Sequence, residues 1–353
     1  MVTSDSFKNL VLSFKSMLDD FLMIIISLVW SIILIFLSPI LHLLNQFKNK
    51  VFPPPKTIVI TGASSGIGKS LAIEYAAPGI TLGITGRNKE RLEEVKKQCV
   101  KKGATVETST IDITEKEKIA HWLQDFDRRH QVDVIYANAA VSELSLGENF
   151  TYEEKAYELV NININGALNT VLPLLENFRK RNHGQIVLVS SLSAYISYVF
   201  PTYAASKSFI THYGLTLRQE LKNYGVGCTV IAPGFVITPM SDTLKMESLP
   251  FSVSAERAAQ VMIQGVQENR AFVGFSLPTL FSAYMMSLVP PNLRDAWNSI
   301  SSLAFPYTDS IESTKSKDQV KYRTSFSSSI FYKTKDTAES SASVSSSSSK
   351  KFQ

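Results

Sequence analysis

Hydrophobic positions fall into two patterns along the chain. The first is a block. Across residues 21–47 no side chain is charged, taking His42 as neutral, and from Phe21 to Leu37 only Ser27 and Ser31 interrupt the apolar residues. A helix needs about 20 apolar residues to cross a bilayer. The block therefore predicts a single membrane span at 21–44, after an N-terminal segment at 1–20. A cleavable leader would have a shorter apolar region, a basic start and a small-residue cleavage site. Here Asp19 and Asp20 stand before the block and no Ala-x-Ala follows it, so an uncleaved anchor is expected. Lys48, Lys50 and Lys56 follow the span, against Lys8, Lys15 and three aspartates before it. The positive-inside bias then puts the following domain in the cytosol, with the endoplasmic reticulum as the expected membrane.

The second pattern begins after Pro53-Pro54-Pro55, a stiff spacer in a linker at 45–55. Short β-branched runs at 57–61, 80–85, 105–111, 132–137, 185–190, 227–232 and 271–275 alternate with helical periodicity at 89–102, 115–129, 153–180 and 203–224. Continuous apolar strands between helices predict a parallel sheet covered on both faces, an α/β doubly wound domain at 56–276. No charge appears between Ala271 and Arg294, where Pro278, Pro290 and Pro291 interrupt the chain. This extension, 277–305, fits an interfacial membrane contact or helices packed beyond a last strand, and periodicity does not separate the two. The tail at 306–353 is expected to be disordered: from 336 to 353, eight of eighteen residues are Ser, which cannot bury a core.

Composition narrows the function classes. Of 353 residues, 44% are hydrophobic and 19% charged, enough for a sizeable core, so a wholly disordered chain is excluded. The formal charge of +5, from 36 Lys and Arg against 31 Asp and Glu, is small and spread out, and no nucleic-acid partner is expected. Cys99 and Cys228 are the only cysteines, which argues against a disulfide scaffold or a cysteine zinc site. The five histidines lack ligand spacing, so no metal is expected. Asn149-Phe150-Thr151 is a glycosylation sequon, unused if the domain is cytosolic.

Three local features carry chemistry. The first run leads into Gly62-Ala63-Ser64-Ser65-Gly66-Ile67-Gly68 and then a helix. Glycines let backbone approach a pyrophosphate, and a helix N-terminus offers it unpaired N–H groups. Gly62, Ser64, Ser65, Gly66, Ile67 and Gly68 are the binding candidates. The second run ends Thr85-Gly86-Arg87-Asn88. An acid there would select NAD through the ribose 2′-hydroxyl. None is present, and Arg87 can pair with a 2′-phosphate, so NADP(H) is the expected cofactor. Finally, Tyr203 and Lys207 stand four apart, on one helix face. A nearby ammonium lowers a phenol's pKa towards an acid/base usable near neutral pH.

Together these motifs make the chain, over about 56–275, resemble the short-chain dehydrogenase/reductase family. The resemblance implies a Rossmann-type sheet of seven strands in the order 3-2-1-4-5-6-7. It implies that Asp112 contacts the adenine and that Asn138, in Ala137-Asn138-Ala139-Ala140, fixes the central sheet. Ala137 and Ala140 depart there from the family's Asn and Gly. It further implies that Asn163 holds a water near Lys207, and that Pro233, Gly234 and Thr238 close over the nicotinamide. The catalytic serine is Ser190 by the family's spacing of thirteen to the tyrosine, or Ser191 by alignment from the strand. Ser191 is favoured because loops absorb deletions more easily than strands change face. The expected catalytic set is Ser191, Tyr203, Lys207 and Asn163.

The expected activity is NADPH-dependent reduction of a carbonyl, or its reverse, on a lipophilic substrate such as a steroid ketone, a 3-keto lipid or a fatty aldehyde. The resemblance also suggests a homodimer through 153–180 and 203–224. The alternative is a weakly active NADP(H)-binding sensor or membrane tether.

Overall fold

The computed structural model describes residues 4–46, 52–147, 149–196, 200–241 and 251–295. The tail at 306–353 and residues 296–305 of the apolar extension lie outside the described residues. Helix α1 (Ser4–Gln46) comes first. Within it Val11–Ser38, 28 residues, is long and apolar enough to cross a membrane, and none of it is buried within the protein. The helix runs without a break through Lys15, Asp19 and Asp20, and this apolar stretch overlaps the expected span at 21–44. At 1.5 Å per residue it is about 42 Å long, beyond the ~30 Å of a hydrocarbon core.

Strands β1 (Thr57–Ile60), β2 (Thr81–Thr85), β3 (Thr105–Ser109), β4 (Val134–Ala137), β5 (Gln185–Val189), β6 (Gly227–Pro233) and β9 (Phe272–Phe275) form one sheet in the order 3-2-1-4-5-6-9. Every neighbouring pair is parallel. Before the last strand, β7 (Val236–Ile237) and β8 (Val253–Ser254) pair with each other. The sheet therefore has the seven strands and the doubly wound order expected. The strand order reverses between β1 and β4, and such a switch point opens a crevice at the strands' C-terminal ends.

Alternation along each strand divides the core into two layers. Ile58 and Ile60, Val134 and Tyr136, and Val187 and Val189 face α2 (Gly66–Tyr75), α3 (Lys89–Lys101) and α8 (Ala255–Gln267). Val59, Ile135, Ile186 and Leu188 face α4 (Lys116–His130), α6 (Gly166–Arg181) and α7 (Pro201–Leu221). The helix expected over 153–180 is two helices, α5 (Tyr152–Val160) and α6, joined by a π turn at Asn161–Asn165. A capping box starts α5: Thr151 Oγ1 accepts the Glu154 N–H at 3.2 Å, and the Glu154 carboxylate accepts the Thr151 N–H at 2.8 Å. The threonine of the sequon thus has a structural use. After β9 comes α9 (Leu277–Leu288).

One buried pair ties the first layer to the strand that leads into the crevice. The hydroxyls of Tyr75 on α2 and Tyr136 on β4 lie 2.7 Å apart, and the rings meet edge to face. Tyr136→Phe leaves the Tyr75 hydroxyl buried without a partner. Denaturant unfolding of the detergent-solubilised chain should then lose about 1–3 kcal/mol of stability. Adding Tyr75→Phe should recover most of that loss. A double variant no more stable than the single one would mean that ring packing, not the hydrogen bond, is what counts.

Candidate active site

The crevice is built where β5 meets α7. Lys207 is 3% exposed, and its Nζ donates to the Val189 carbonyl at 2.9 Å. The same Nζ lies 5.5 Å from the centre of the Tyr203 ring, one turn earlier on the helix. Ser190 Oγ lies 2.8 Å from the Lys207 carbonyl and 2.7 Å from Thr211 Oγ1. Its hydroxyl is therefore engaged in joining β5 to α7. Ser191, in extended backbone one residue later, takes the Ser193 N–H at 3.1 Å, and its hydroxyl lies near enough to the Tyr203 phenol to favour the phenolate. Ser191, Tyr203 and Lys207 thus come together, while Ser190 serves the backbone beside them.

Asn163 sits in the π turn, an irregularity often found at functional sites. Its Oδ1 accepts the Val141 N–H at 2.9 Å. Its Nδ2 donates to the Val141 carbonyl at 2.9 Å and to Ser206 Oγ at 3.1 Å. Ser206 Oγ in turn donates to the Tyr203 carbonyl at 2.7 Å. Both amide donors are in use, so the role the geometry gives Asn163 is a clamp between the loop after β4 and α7.

Glu143 carries no signal in the sequence, because it belongs to no motif. From the loop after β4 its Oε1 accepts the Tyr203 N–H at 3.0 Å. Its Oε2 is buried without a hydrogen-bond partner.

The other half of the crevice is the glycine turn between β1 and α2. Gly66 has φ +53, the left-handed region that favours glycine. A Cβ on Gly68 would stand 2.4 Å from the Gly62 carbonyl oxygen, so the turn closes only on glycine. Ser65 is the N-cap of α2 but makes no side-chain cap bond, and Ser64 lies against Gly86. Ile67 packs into the first core layer. Asn138 Nδ2 donates to the Thr61 carbonyl at 2.9 Å, which locks the end of β4 to the start of the turn. Thr238 lies over Gly66, and Thr238 N donates to Ser241 Oγ at 2.9 Å. Pro233 ends β6, and the Gly234 N–H bonds the Phe275 carbonyl at 2.6 Å. Arg87, 63% exposed, lies 3.9 Å from Asp112, whose Oδ1 accepts the Thr114 N–H at 2.9 Å.

A family model described as short chain dehydrogenase matches residues 56–248, more than half of the chain. The chain belongs to the short-chain dehydrogenase family. It is 30% identical over 225 residues to an 11-beta-hydroxysteroid dehydrogenase-like 2 of Arabidopsis thaliana, covering 62% of this chain and 72% of that one. It is 29% identical over 254 residues to a fatty acyl-CoA reductase of Acinetobacter baylyi, covering 71% and 85%. A solved short-chain dehydrogenase from Sphingobium yanoikuyae in complex with NADPH superposes with a TM-score of 0.56 at 20% identity, covering 74% of this chain and 98% of that one. One from Mycobacterium paratuberculosis bound to NAD does so with 0.56 at 20%, covering 64% and 98%. The solved structures carry the fold alone.

This short-chain dehydrogenase is an oxidoreductase acting on CH–OH and C=O groups. Its glycine turn, so tight that a Cβ on Gly62 would meet Ala139 and one on Gly68 the Gly62 carbonyl oxygen, leads straight into the N-terminus of α2, whose unpaired N–H groups suit the pyrophosphate of a nicotinamide dinucleotide. The electrostatics at the other end depart from expectation. Burial pushes the Tyr203 phenol up to about 12, with the Ser191 hydrogen bond pulling it down and the Glu143 carboxylate adding to the rise. The Lys207 Nζ, 5.5 Å from the ring centre, bonds the Val189 carbonyl. Burial also pulls the Lys207 ammonium down to about 8.

An unfolded lysine titrates near 10.4. Between about 8 and that value the unfolded chain holds a proton that folded Lys207 has released, so stability rises with pH across this window. The neutral variant Lys207→Met lacks the effect. Its unfolding free energy relative to wild type should be most favourable near pH 7 and fall by on the order of 2–3 kcal/mol towards pH 10. A difference that stays constant with pH would show that Lys207 is not desolvated.

Proposed function

We propose that the chain is a membrane-anchored carbonyl reductase that prefers NADP(H) and acts on a lipophilic ketone or aldehyde, or on the alcohol in reverse. The observation that carries this reading is the Lys207 ammonium, buried and bonded to the Val189 carbonyl beside the Tyr203 ring, with Ser191 near the phenol. Bound NADPH supplies the hydride. Ser191 donates to the carbonyl oxygen and holds it where negative charge develops. Tyr203 gives that oxygen a proton, which its raised pKa keeps in place at neutral pH. Lys207 and Tyr203 hold the nicotinamide ribose, and Asn163 keeps α7 in register with the loop after β4. The turn at Gly62, Ser64, Ser65, Gly66, Ile67 and Gly68 takes the pyrophosphate. Asp112 and Asn138 frame the adenosine side, and Pro233, Gly234 and Thr238 the nicotinamide side.

Arg87 supports the NADP(H) preference. No acid ends β2, and at 3.9 Å its pair with Asp112 is loose and exposed, so the guanidinium is free to turn to a 2′-phosphate. The lipophilic substrate is supported by α9. Its inner face, Leu280 and Ala283, packs with Leu192 and Tyr195 of the loop after Ser191. Its outer face shows Leu277, Phe281, Met285 and Leu288 to the surroundings. With α1, that stripe suits a domain resting on a membrane of the endoplasmic reticulum from the cytosolic side, where apolar substrate arrives. Exposed Tyr157, Leu172 and Phe209 on α5, α6 and α7 suit a homodimer.

The test is NADPH oxidation by the full chain in detergent, with long-chain and steroid ketones against small polar ones. Tyr203→Phe and Ser191→Ala should each lower kcat/KM by about 100-fold or more. Ser190→Ala should mainly cost stability, about 1 kcal/mol. If Tyr203→Phe consumed NADPH as fast as the wild type, a cofactor-binding sensor or tether would be the better reading. A separate titration addresses the cofactor: Arg87→Gln should weaken NADPH about tenfold and leave NADH unaffected. Equal losses for both nucleotides would remove the preference.

A further inference from the structure

Helix α7 carries Tyr203 in its first turn, and the start of that helix is left open. The residue before it, Phe200, has a phenyl ring that accepts no hydrogen bond, and no side-chain cap bond forms there. The first bond within the helix runs from the Ala204 N–H to the Phe200 carbonyl, at 2.9 Å. The Tyr203 N–H comes one residue too early for a partner of that kind. Glu143 supplies the partner from the loop after β4, where its Oε1 accepts this N–H at 3.0 Å. A carboxylate suits the positive end of a helix and makes a stronger bond than a neutral acceptor. A Ser, Thr or Asn in place of Phe200 would close the same turn locally. Only a distant cap ties it to another part of the fold.

That part is the stretch from Asn138 to Glu143. At its start Asn138 Nδ2 donates to the Thr61 carbonyl at 2.9 Å, and Ala139 stands so close to Gly62 that a Cβ on the glycine would come within 2.7 Å of the Ala139 Cα. In its middle the Val141 N–H and carbonyl are both bonded by Asn163, each at 2.9 Å. At its end is Glu143. One short, braced stretch therefore touches both the glycine turn and the helix that bears Tyr203. The second carboxylate oxygen, Oε2, is buried without a hydrogen-bond partner. That lowers stability, and a group left in this condition in a native fold calls for a functional explanation. We propose that Glu143 is a positioning residue: by capping α7 from the stretch that braces the glycine turn, it sets where Tyr203 stands relative to bound cofactor and substrate. The proposal rests on the carbonyl-reductase reading and adds to it a residue that acts through Tyr203 without touching the substrate.

The experiment compares Glu143→Gln, Glu143→Asp and Glu143→Ala in the full chain in detergent, with NADPH and a long-chain ketone. Glu143→Gln keeps the reach of the side chain and an acceptor oxygen. Glu143→Asp keeps the charge but is one methylene too short for the Tyr203 N–H. Each rate is taken per NADPH-binding site, so that unfolded protein does not count. Glu143→Gln should hold kcat within about threefold of the wild type, whereas Glu143→Asp and Glu143→Ala should lower it by about 10–100-fold, as a proton donor displaced by roughly an ångström would. KM for the ketone and the dissociation constant of NADPH, read from its fluorescence, should change by less than about threefold, because only the transition state needs the phenol in place. Should Glu143→Ala fail to fold, the other two variants still decide. Glu143→Gln no more active than Glu143→Asp overturns the proposal, since reach would then not be what counts. So does a loss of NADPH affinity in step with kcat, since the residue then only keeps the site folded. A wild type that binds NADPH but reduces no ketone would sink the carbonyl-reductase reading itself, and this proposal with it.

Discussion

The site depends on one buried ammonium. Lys207 is almost wholly enclosed, and its Nζ donates to the carbonyl of Val189, the last residue of β5. A buried charge that loses its partner is strongly destabilising, so α7 cannot slide along β5 without a large rise in free energy. Ser190 bonds the backbone of the same residue and Thr211 one turn on, which adds a second fastening at the same height. With strand and helix fixed, the residue that follows Ser190 beyond the strand and the helix residue one turn before Lys207 are brought near each other. They are Ser191 and Tyr203. The closeness of Ser191 and Tyr203 is a consequence of where the lysine is sealed.

The same burial explains the pKa pattern. An enclosed ammonium is pulled down and an enclosed phenol is pushed up, since each loses solvation of its charged form. The two shifts leave Tyr203 firmly protonated. Asn163 contributes geometry here. The π turn carries it inward, where it joins Val141 to Ser206 and through Ser206 to the Tyr203 carbonyl.

Much of this was legible in the chain. The strands were visible because each is a short apolar run between helical stretches, and the glycine turn because positions such as Gly66 and Gly68 exclude any side chain. Tyr203 and Lys207 could be placed on one face by spacing alone. Spacing could not say that the phenol is buried, and burial is what pushes its pKa up and not down. Ser190 and Ser191 are adjacent and chemically identical, and only the contacts of Ser190 with α7 separate their roles. The π turn was invisible because it leaves the apolar period of 153–180 nearly intact, and its partners are distant in sequence. Glu143 was missed for the same reason: what makes it notable is the Tyr203 N–H, 60 residues away. The N-terminal helix starts earlier than the charge pattern suggested, because a helix tolerates Lys15, Asp19 and Asp20 on its surface.

The two ends of the crevice are held with different strictness, and this bears on substrate choice. The cofactor end is backbone against backbone: Gly68 against the Gly62 carbonyl, Asn138 against the Thr61 carbonyl. Such contacts admit almost no change in side chain. The substrate end is a short loop, Leu192–Tyr195, held from two sides. On one side Ser208 of α7 bonds the Ala194 carbonyl at 2.8 Å. On the other, Tyr195 lies 4.9 Å from the Tyr284 ring of α9, with Phe272 beyond. The first contact ties the loop to the helix that carries Tyr203 and Lys207, so Ser191 keeps its place. The second is made of side chains on a helix whose other face is apolar and exposed. Substitutions on α9 can therefore reshape the packing of this loop without loosening the tie between Ser208 and Ala194 that keeps Ser191 beside Tyr203.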